Sequence, residues 1–158
     1  MKVSIGSRII DGPWGGGNLF VVNLKKYLQK NGHSVIHDLC DKDIDIILLT
    51  DPRSRKESSS TFNHEDIKKY KKFVNPNVVV VQRVNECDER KGTDYINQYY
   101  LDASECADHV IFVSNWLKNI YVDFGMPALK TSVIMSGADE TIFNKSGLNE
   151  FSQEKIKF

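Results

Sequence analysis

The chain has 158 residues and a mass of 18.0 kDa, enough for one ordinary domain with a sizeable core of its own. Its 21 basic and 21 acidic side chains give a formal net charge of zero, which disfavours a nucleic-acid-binding protein. With 41% hydrophobic and 27% charged residues, the composition also excludes collagen-like, coiled-coil and disordered chains.

Apolar, strand-like runs alternate with segments of helical spacing along the chain. The predicted elements are a strand at 3–10, a helix that starts after 18 and ends at 31–32, strands at 34–37 and 44–50, a loop at 51–63, a helix at 64–74, a strand at 78–81, an irregular segment at 82–93, a helix at 94–107, a strand at 109–113, a helix at 116–124 and a strand at 130–135. This alternation predicts an α/β fold with a Rossmann-like, doubly wound, mostly parallel sheet. Ligands of such sheets bind beyond the carboxyl ends of the strands.

A glycine-rich loop joins the first predicted strand to the first helix. It contains Gly15, Gly16 and Gly17, followed by Asn18 where the helix N-cap is expected. Glycines let a backbone approach a ligand closely, and a helix N-terminus presents free N–H groups with partial positive charge. These four residues are therefore predicted to bind a phosphate, a carboxylate or a sugar. The Gly-Lys-Ser/Thr ending of a Walker A loop is absent.

The same loop leaves a second interpretation open. Gly15 and Gly17 fit the first two glycines of the dinucleotide fingerprint, but Phe20 occupies the place of the third. Asp38 lies 21 residues after Gly17, near the position that binds a ribose hydroxyl. The alternative function is therefore a non-catalytic or dinucleotide-binding Rossmann-like module.

A charged segment follows the four valines of the fourth predicted strand. Its polar side chains are candidates for binding an acceptor molecule: Arg83, Asn85, Glu86, Asp88, Arg90 and Lys91. Guanidinium and carboxylate groups together hold polyhydroxylated or anionic ligands through directed hydrogen bonds. The competing interpretation is a solvated surface loop whose charges neutralise one another.

Neither a metal site nor a membrane span is predicted. The three cysteines form no C-x-x-C pair, and the four histidines lack metal-pair spacing. No apolar stretch approaches about 18 residues, and no secretory signal peptide is expected before the first strand. The sparse, odd cysteine count suits a reducing cytoplasm. The lysines at 68, 69, 71 and 72 predict a solvated helix face, with contact to the inner face of a membrane or to an anionic acceptor as the alternative.

Several segments resemble one enzyme family. The glycine loop, the run at 28–35 and the run at 107–114 look like those of the retaining glycosyltransferases of family 4. The run at 133–143 is similar to that family's pattern x-N-G-V-D-x-x-x-F, with Ser136 and Ala138 in place of Asn and Val. The resemblance covers nearly all of residues 1–145.

This resemblance implies one half of a GT-B architecture, in which two Rossmann-like domains face each other across a cleft. Residues 1–145 would be the N-terminal, acceptor-side domain. Residues 146–158 would be a linker and the start of a missing C-terminal domain, which in the family carries most of the nucleotide-sugar site. The complete enzyme would move a sugar from a nucleotide diphosphosugar to an acceptor hydroxyl with retention, and it would need neither a metal nor a cofactor. A glycan, a glycolipid or a protein would be the acceptor, and the chain alone would be inactive.

The resemblance also assigns roles to individual residues. Gly15, Gly16 and Gly17 would approach the donor phosphates and sugar, and the segment from Arg83 to Lys91 would line the acceptor side. Residues that end the fifth and sixth strands are predicted at the cleft edge: Ser114, Asn115, Ser136 and Gly137. Many relatives have a histidine just beyond the fourth strand, but residues 82–85 read Gln-Arg-Val-Asn. We therefore assign no catalytic residue.

Overall fold

The computed structural model describes residues 1–12, 14–53 and 56–137, which form a parallel sheet with helices packed on both faces. The strands are β1 (Lys2–Ile5), β2 (Ser34–Ile36), β3 (Ile46–Leu49), β4 (Val79–Val84), β5 (His109–Phe112) and β6 (Thr131–Val133). The helices are α1 (Gly16–Lys30), α2 (His64–Phe73), α3 (Asp88–Lys91), α4 (Ile96–Ser104) and α5 (Asn115–Asp123). The predicted α/β, Rossmann-like parallel fold is confirmed.

The order of the strands determines where a ligand crevice opens. The six strands lie in the order β2-β1-β3-β4-β5-β6, and every neighbouring pair is parallel. The chain first builds outward from β1 to β2 and then crosses back to β3 on the other side of β1. The order reverses at this point, and crevices for ligands open at such reversals, beyond the carboxyl ends of the strands. The glycine loop after β1 and the loop after β3 both lie there.

Each face of the sheet has its own apolar cluster, because successive strand side chains point to opposite faces. Beneath α1, Val3, Ile5, Val21 and Leu48 are buried together. The other face carries the larger cluster, which joins β3, β4 and β5 to α2, α4 and α5. Tyr100 and Tyr121 are among its largest fully buried side chains. Full burial of an aliphatic or aromatic side chain contributes about 1.5–3 kcal/mol, so the sheet is a stable platform for its loops.

The first strand is shorter than the predicted 3–10. It ends at Ile5, after which Gly6 donates its N–H to the carbonyl of Leu48 over 2.9 Å. Arg8 then donates its N–H to the carbonyl of Ser59 over 2.9 Å, which ties this segment to the loop after β3 instead of to a strand. Ile9 still packs against the cluster beneath α1, and this explains why an apolar run there imitates a longer strand.

The fourth strand is longer than predicted, and the expectation of an irregular chain from residue 82 is wrong. Strand β4 continues through Gln82, Arg83 and Val84. These three residues pair in register with Val110, Ile111 and Phe112 of β5, respectively. The buried Gln82 amide donates from Nε2 to the carbonyl of Tyr100 over 2.9 Å, so a polar side chain is accommodated inside the core. The short helix α3, which the sequence did not predict, follows at 88–91.

The remaining boundaries are tighter than expected. Helix α4 and strand β6 are shorter at both ends than the predicted 94–107 and 130–135. Within the described ranges, no helix has both the length and the apolar character to cross a membrane. The predicted domain end at 145, the linker at 146–158 and the motif positions from 138 onward lie outside the described residues.

Candidate functional site

The glycine loop leads directly into α1 at the carboxyl end of β1. Helix α1 begins at Gly16, and its N-cap is Gly15, whose φ of 34° is a conformation that favours glycine. Gly12 also has a positive φ, of 103°. The prediction of Asn18 as the N-cap is therefore wrong, since Asn18 lies inside the first turn of α1.

The side chain of Asn18 holds the loop together. Its Oδ1 accepts the N–H of Ile10 and its Nδ2 donates to the carbonyl of Ile10, both over 2.9 Å. This paired contact fastens the residue before the glycine loop to the helix that follows it. Asn18 thus has a structural role, and its predicted contact with a donor sugar stays a prediction.

The described part of the chain gives no steric reason for glycine at Gly16 and Gly17. A Cβ built at either position meets nothing within 4 Å, and neither has a positive φ. Both residues are exposed, and the N–H groups of a first helical turn have no partner within the helix. The open space above these N–H groups is suited to the close approach of an anionic ligand.

Arg83 ends up beside this helix. It follows Val81 by two residues in β4, so both side chains point to the face covered by α1, where Val81 packs against the α1 cluster. The guanidinium carbon of Arg83 lies 4.0 Å from the centroid of the Phe20 ring in α1, a cation–π contact. Only 9% of Arg83 is exposed, and this burial lowers its pKa below the usual value. A buried, stacked guanidinium is a group from which a directed anion contact can be built.

The charged side chains after β4 mostly bind one another. Glu86 forms ion pairs with both Arg90 and Lys91, the second over 3.1 Å between Oε2 and Nζ. Both cations lie on α3, so Glu86 satisfies part of their charge locally. This arrangement favours the solvated-loop interpretation for Glu86, Arg90 and Lys91. Asn85 is half-buried directly after β4, at the carboxyl edge.

Asp88 is committed to local structure. Its carboxylate accepts the backbone N–H groups of Tyr95, Ile96 and Asn97, over 3.1, 2.9 and 2.9 Å, and the Thr93 hydroxyl over 2.5 Å. Burial acts to raise the pKa of Asp88, but these hydrogen bonds together lower it below its usual value. Asp88 is therefore the acidic cap of α4, and this contact explains its presence without a ligand.

The residues predicted at the cleft edge lie along the same edge of the sheet but farther out. Ser114 caps α5, since its Oγ accepts the N–H of Leu117 over 3.1 Å, and Asn115 is the exposed first residue of that helix. Ser136 and Gly137 are exposed beyond β6. Four strand spacings separate β1 from β6, about 19 Å at the usual spacing. At this separation, one small ligand does not contact both the glycine loop and Gly137.

Sequence reasoning missed two features of this edge. Arg53 and Asp51, just after β3, form a two-pronged ion pair, with Nη2–Oδ2 at 2.7 Å and Nε–Oδ1 at 3.0 Å. Their position after a buried strand is the same signal that singled out Arg83, but it was hidden in a segment interpreted as a long loop. The Phe20–Arg83 stack joins residues far apart in the chain, and no local pattern contains it.

Other predicted features lie away from this crevice. Lys68 pairs with Glu65 and Glu105, and Lys71 pairs with Asp108. These lysines line a groove of about 540 Å³ at the amino-terminal edge of the sheet, opposite the glycine loop. Pairing favours the solvated interpretation of this basic face, and its contact with a membrane stays a prediction. Within residues 1–12, 14–53 and 56–137, no group of three or more His, Cys, Asp or Glu residues could hold a metal ion.

The structure also shows the positions of the residues on which the dinucleotide-binding alternative depends. Asp38 is exposed just after β2, and its Oδ1 accepts the N–H of Cys40 over 2.9 Å. Phe20, at the place of the third glycine, puts a bulky ring between α1 and the sheet. A close helix–strand approach, which the dinucleotide fingerprint provides through glycine, is thus absent at that residue.

Comparisons with known proteins give a likeness in structure alone. No protein-family model matches the chain, and a search of curated proteins gives no significant match. The crystal structure of Anabaena HepE in complex with UDP and glucose matches with a TM-score of 0.58 at 11% sequence identity. The structure of the same protein with UDP-glucose matches with a TM-score of 0.57 at 13% identity.

Both matches cover 90% of this chain and 46% of HepE. The chain therefore spans about half the length of these structural neighbours. The likeness is one of fold. It places the chain among Rossmann-like α/β structures, in agreement with the parallel sheet.

Proposed function

We propose that this chain is the N-terminal, acceptor-side half of a GT-B glycosyltransferase. The complete enzyme would transfer a sugar from a nucleotide diphosphosugar to a hydroxyl of a glycan, glycolipid or protein, with retention as in the family 4 enzymes that the sequence resembles. The observation that carries this proposal is the match of 90% of the chain to about half of a protein solved with UDP-glucose. The unexplained glycines at the strand-order reversal support it independently.

The proposed chemistry divides between two domains. A departing nucleoside diphosphate is the main developing charge in sugar transfer, and N–H donors aimed at it stabilise the transition state. Gly16 and Gly17 can supply such donors from this side of a cleft. The remaining donor contacts would come from a second domain, and we propose that no metal or cofactor is needed. The cytoplasm, at the inner face of a membrane, is the proposed location.

The division of the site predicts weak binding and no transfer by this chain alone. With only the glycine loop to contact the phosphates, we expect millimolar or weaker affinity for UDP-glucose, about −4 kcal/mol or less. Amide NMR spectra of the 158-residue chain, titrated with UDP-glucose, should show shifts centred on Gly15, Gly16 and Gly17. Shifts confined to the lysine groove, or micromolar binding of NAD with shifts at Asp38, would contradict the proposal.

Replacement of Gly16 by alanine separates folding from binding. Since a Cβ there meets nothing within 4 Å, Gly16→Ala should keep or raise stability, by up to about 1 kcal/mol in a helix. The same methyl group occupies the space where a phosphate would approach the N–H groups, so affinity for UDP-glucose should fall at least about 10-fold, or about 1.4 kcal/mol. Asn23→Ala, on an exposed turn further along α1, is the matched control and should leave binding unchanged. Equal affinity of Gly16→Ala and the native chain would count against a donor site at the loop.

A further inference from the structure

Arg83 lies against α1 through the Phe20 ring, although the chain separates the two residues by more than sixty positions. Phe20 belongs to the second turn of α1, and a helical side chain covers the turn that precedes its own Cα. The Phe20 ring therefore lies over the first turn, and the Arg83 guanidinium carbon lies 4.0 Å from the centre of that ring. A positive charge thus lies against a side chain of α1 that is one helical turn from Gly16 and Gly17.

This charge has no partner among the residues that the structure describes. Arg53 is paired with Asp51 and Arg90 with Glu86, whereas Arg83 has no ion pair or hydrogen bond from its guanidinium within the described ranges. Arg83 is nevertheless only 9% exposed. An unpaired charge held out of water is unfavourable, so a buried arginine of this kind is most stable when an anion joins it.

The chemistry of the guanidinium suits a tetrahedral anion. The Arg83 guanidinium carbon lies over the Phe20 ring, and a guanidinium that contacts a ring through its flat face keeps its N–H edge for hydrogen bonds. Arginine edges bind phosphate through two parallel N–H···O bonds. The N–H groups of the first turn of α1 supply further donors, together with the positive end of the helix dipole.

We propose that Arg83 and the first turn of α1 form one binding site for a phosphate group. The phosphate belongs either to the diphosphate of the nucleotide sugar or to a phosphorylated acceptor. This inference rests on the proposed function for the identity of the ligand, and it goes beyond it by assigning Arg83 to the phosphate site.

Inorganic pyrophosphate is the probe that tests the site without any sugar. Titration of the 158-residue chain, followed by NMR, should shift the amide signals of Gly16 and Gly17 together with the Nε–H signal of Arg83. Arg83→Gln should raise the dissociation constant for pyrophosphate about 10- to 100-fold, as expected for loss of a charge-assisted hydrogen bond. Arg90→Gln is the matched control, since it removes the same charge from an exposed position on α3, and it should change the constant less than about 2-fold.

Two further measurements keep the test decisive if Arg83→Gln does not fold. Arg83→Lys keeps the charge but loses the planar guanidinium edge. Its affinity for pyrophosphate should therefore lie between those of the native chain and the Arg83→Gln variant. The Arg83 Nε–H signal of the native chain reports on the contact without any substitution. The inference would be overturned if the Arg83 Nε–H signal stayed unchanged while the Gly16 and Gly17 signals shifted. It would also be overturned if the native chain and the Arg83→Lys and Arg83→Gln variants bound pyrophosphate with equal affinity.

Competition identifies the source of the phosphate and separates this inference from the proposed function. If UDP displaces pyrophosphate and shifts Arg83, the phosphate is that of the donor. If methyl phosphate still shifts Arg83 in the presence of excess UDP, the phosphate is that of the acceptor. Pyrophosphate binding that depends on Arg83, with no response to UDP or UDP-glucose, would support the phosphate site and refute the glycosyltransferase proposal.

Discussion

Asp88 offers the sharpest test of how the segment after β4 is held in place. Its carboxylate accepts three backbone N–H groups at the start of α4 and the hydroxyl of Thr93. A single N-cap contact contributes about 0.5–2 kcal/mol, and a hydrogen bond to a charged group roughly 1.5–3 kcal/mol. Because water replaces part of the lost bonds at this partly exposed turn, we expect Asp88→Ala to cost about 2–4 kcal/mol. That corresponds to a fall in Tm of roughly 5–15 °C for a domain of this size.

The pH dependence of stability provides an independent signature. The pKa of Asp88 is lower in the folded chain than in the unfolded one, so its contribution is present above the unfolded value of about 3.9 and is lost as pH falls through the folded value. Asp88→Asn keeps one acceptor oxygen but not the charge. It should cost less than alanine at neutral pH and should reduce the loss of stability between neutral and acidic pH.

The assay is thermal and urea unfolding followed by circular dichroism at neutral and acidic pH. Asp94→Ala is the matched control, because it removes an exposed carboxylate just before α4 that forms no hydrogen bond or ion pair among the described residues. It should change stability by less than about 0.5 kcal/mol. If Asp88→Ala were no more harmful than Asp94→Ala, the four hydrogen bonds would not hold this turn. Asp88 would then return to the candidates for ligand binding.

Two further outcomes are expected. Gly6→Ala should destabilise the chain by about 1–3 kcal/mol in urea unfolding, because the added Cβ would lie 2.7 Å from Cε2 of the fully buried Phe62. An unchanged urea midpoint would show that the Phe62 ring can move aside. The thiol reagent DTNB should label the exposed Cys40 quickly in the native chain, and Cys87 and Cys106 only after unfolding. Burial raises the pKa of Cys106 to about 11, which leaves about one thiolate in 1,000 at pH 8. Rapid labelling of three thiols would contradict the buried positions.

The sequence was sufficient to predict the fold because periodicity is a local signal. Val78 to Val81 and the helical stripe of α5 each carry their pattern within a few residues, and the Ser114 cap follows the ordinary preference for serine at that place. The alternation of such segments predicts a parallel sheet before any contact is known.

The errors arose where a distant partner decides the local structure. Gln82 is a strand residue in the core only because its amide reaches the carbonyl of Tyr100, and the local sequence contains no trace of that bond. Asn18 has the right chemistry for an N-cap, but it lies three residues inside the helix and binds the backbone of Ile10. The contact between Phe20 and Arg83 was missed for the same reason. The position of the glycine loop could be predicted from the sequence. That Gly16, Gly17 and Asn18 belong to the helix could not.

The strand-order reversal has a consequence for how the crevice forms. The glycine loop follows β1 and Arg83 lies in β4, and β3 lies between these two strands. Because β3 pairs with both β1 and β4, the two sides of the crevice come together only when β3 has paired on both sides. A ligand that binds in the crevice therefore stabilises the pairing of β1, β3 and β4 together. Slower hydrogen exchange of the β3 amides would report this binding from the centre of the sheet.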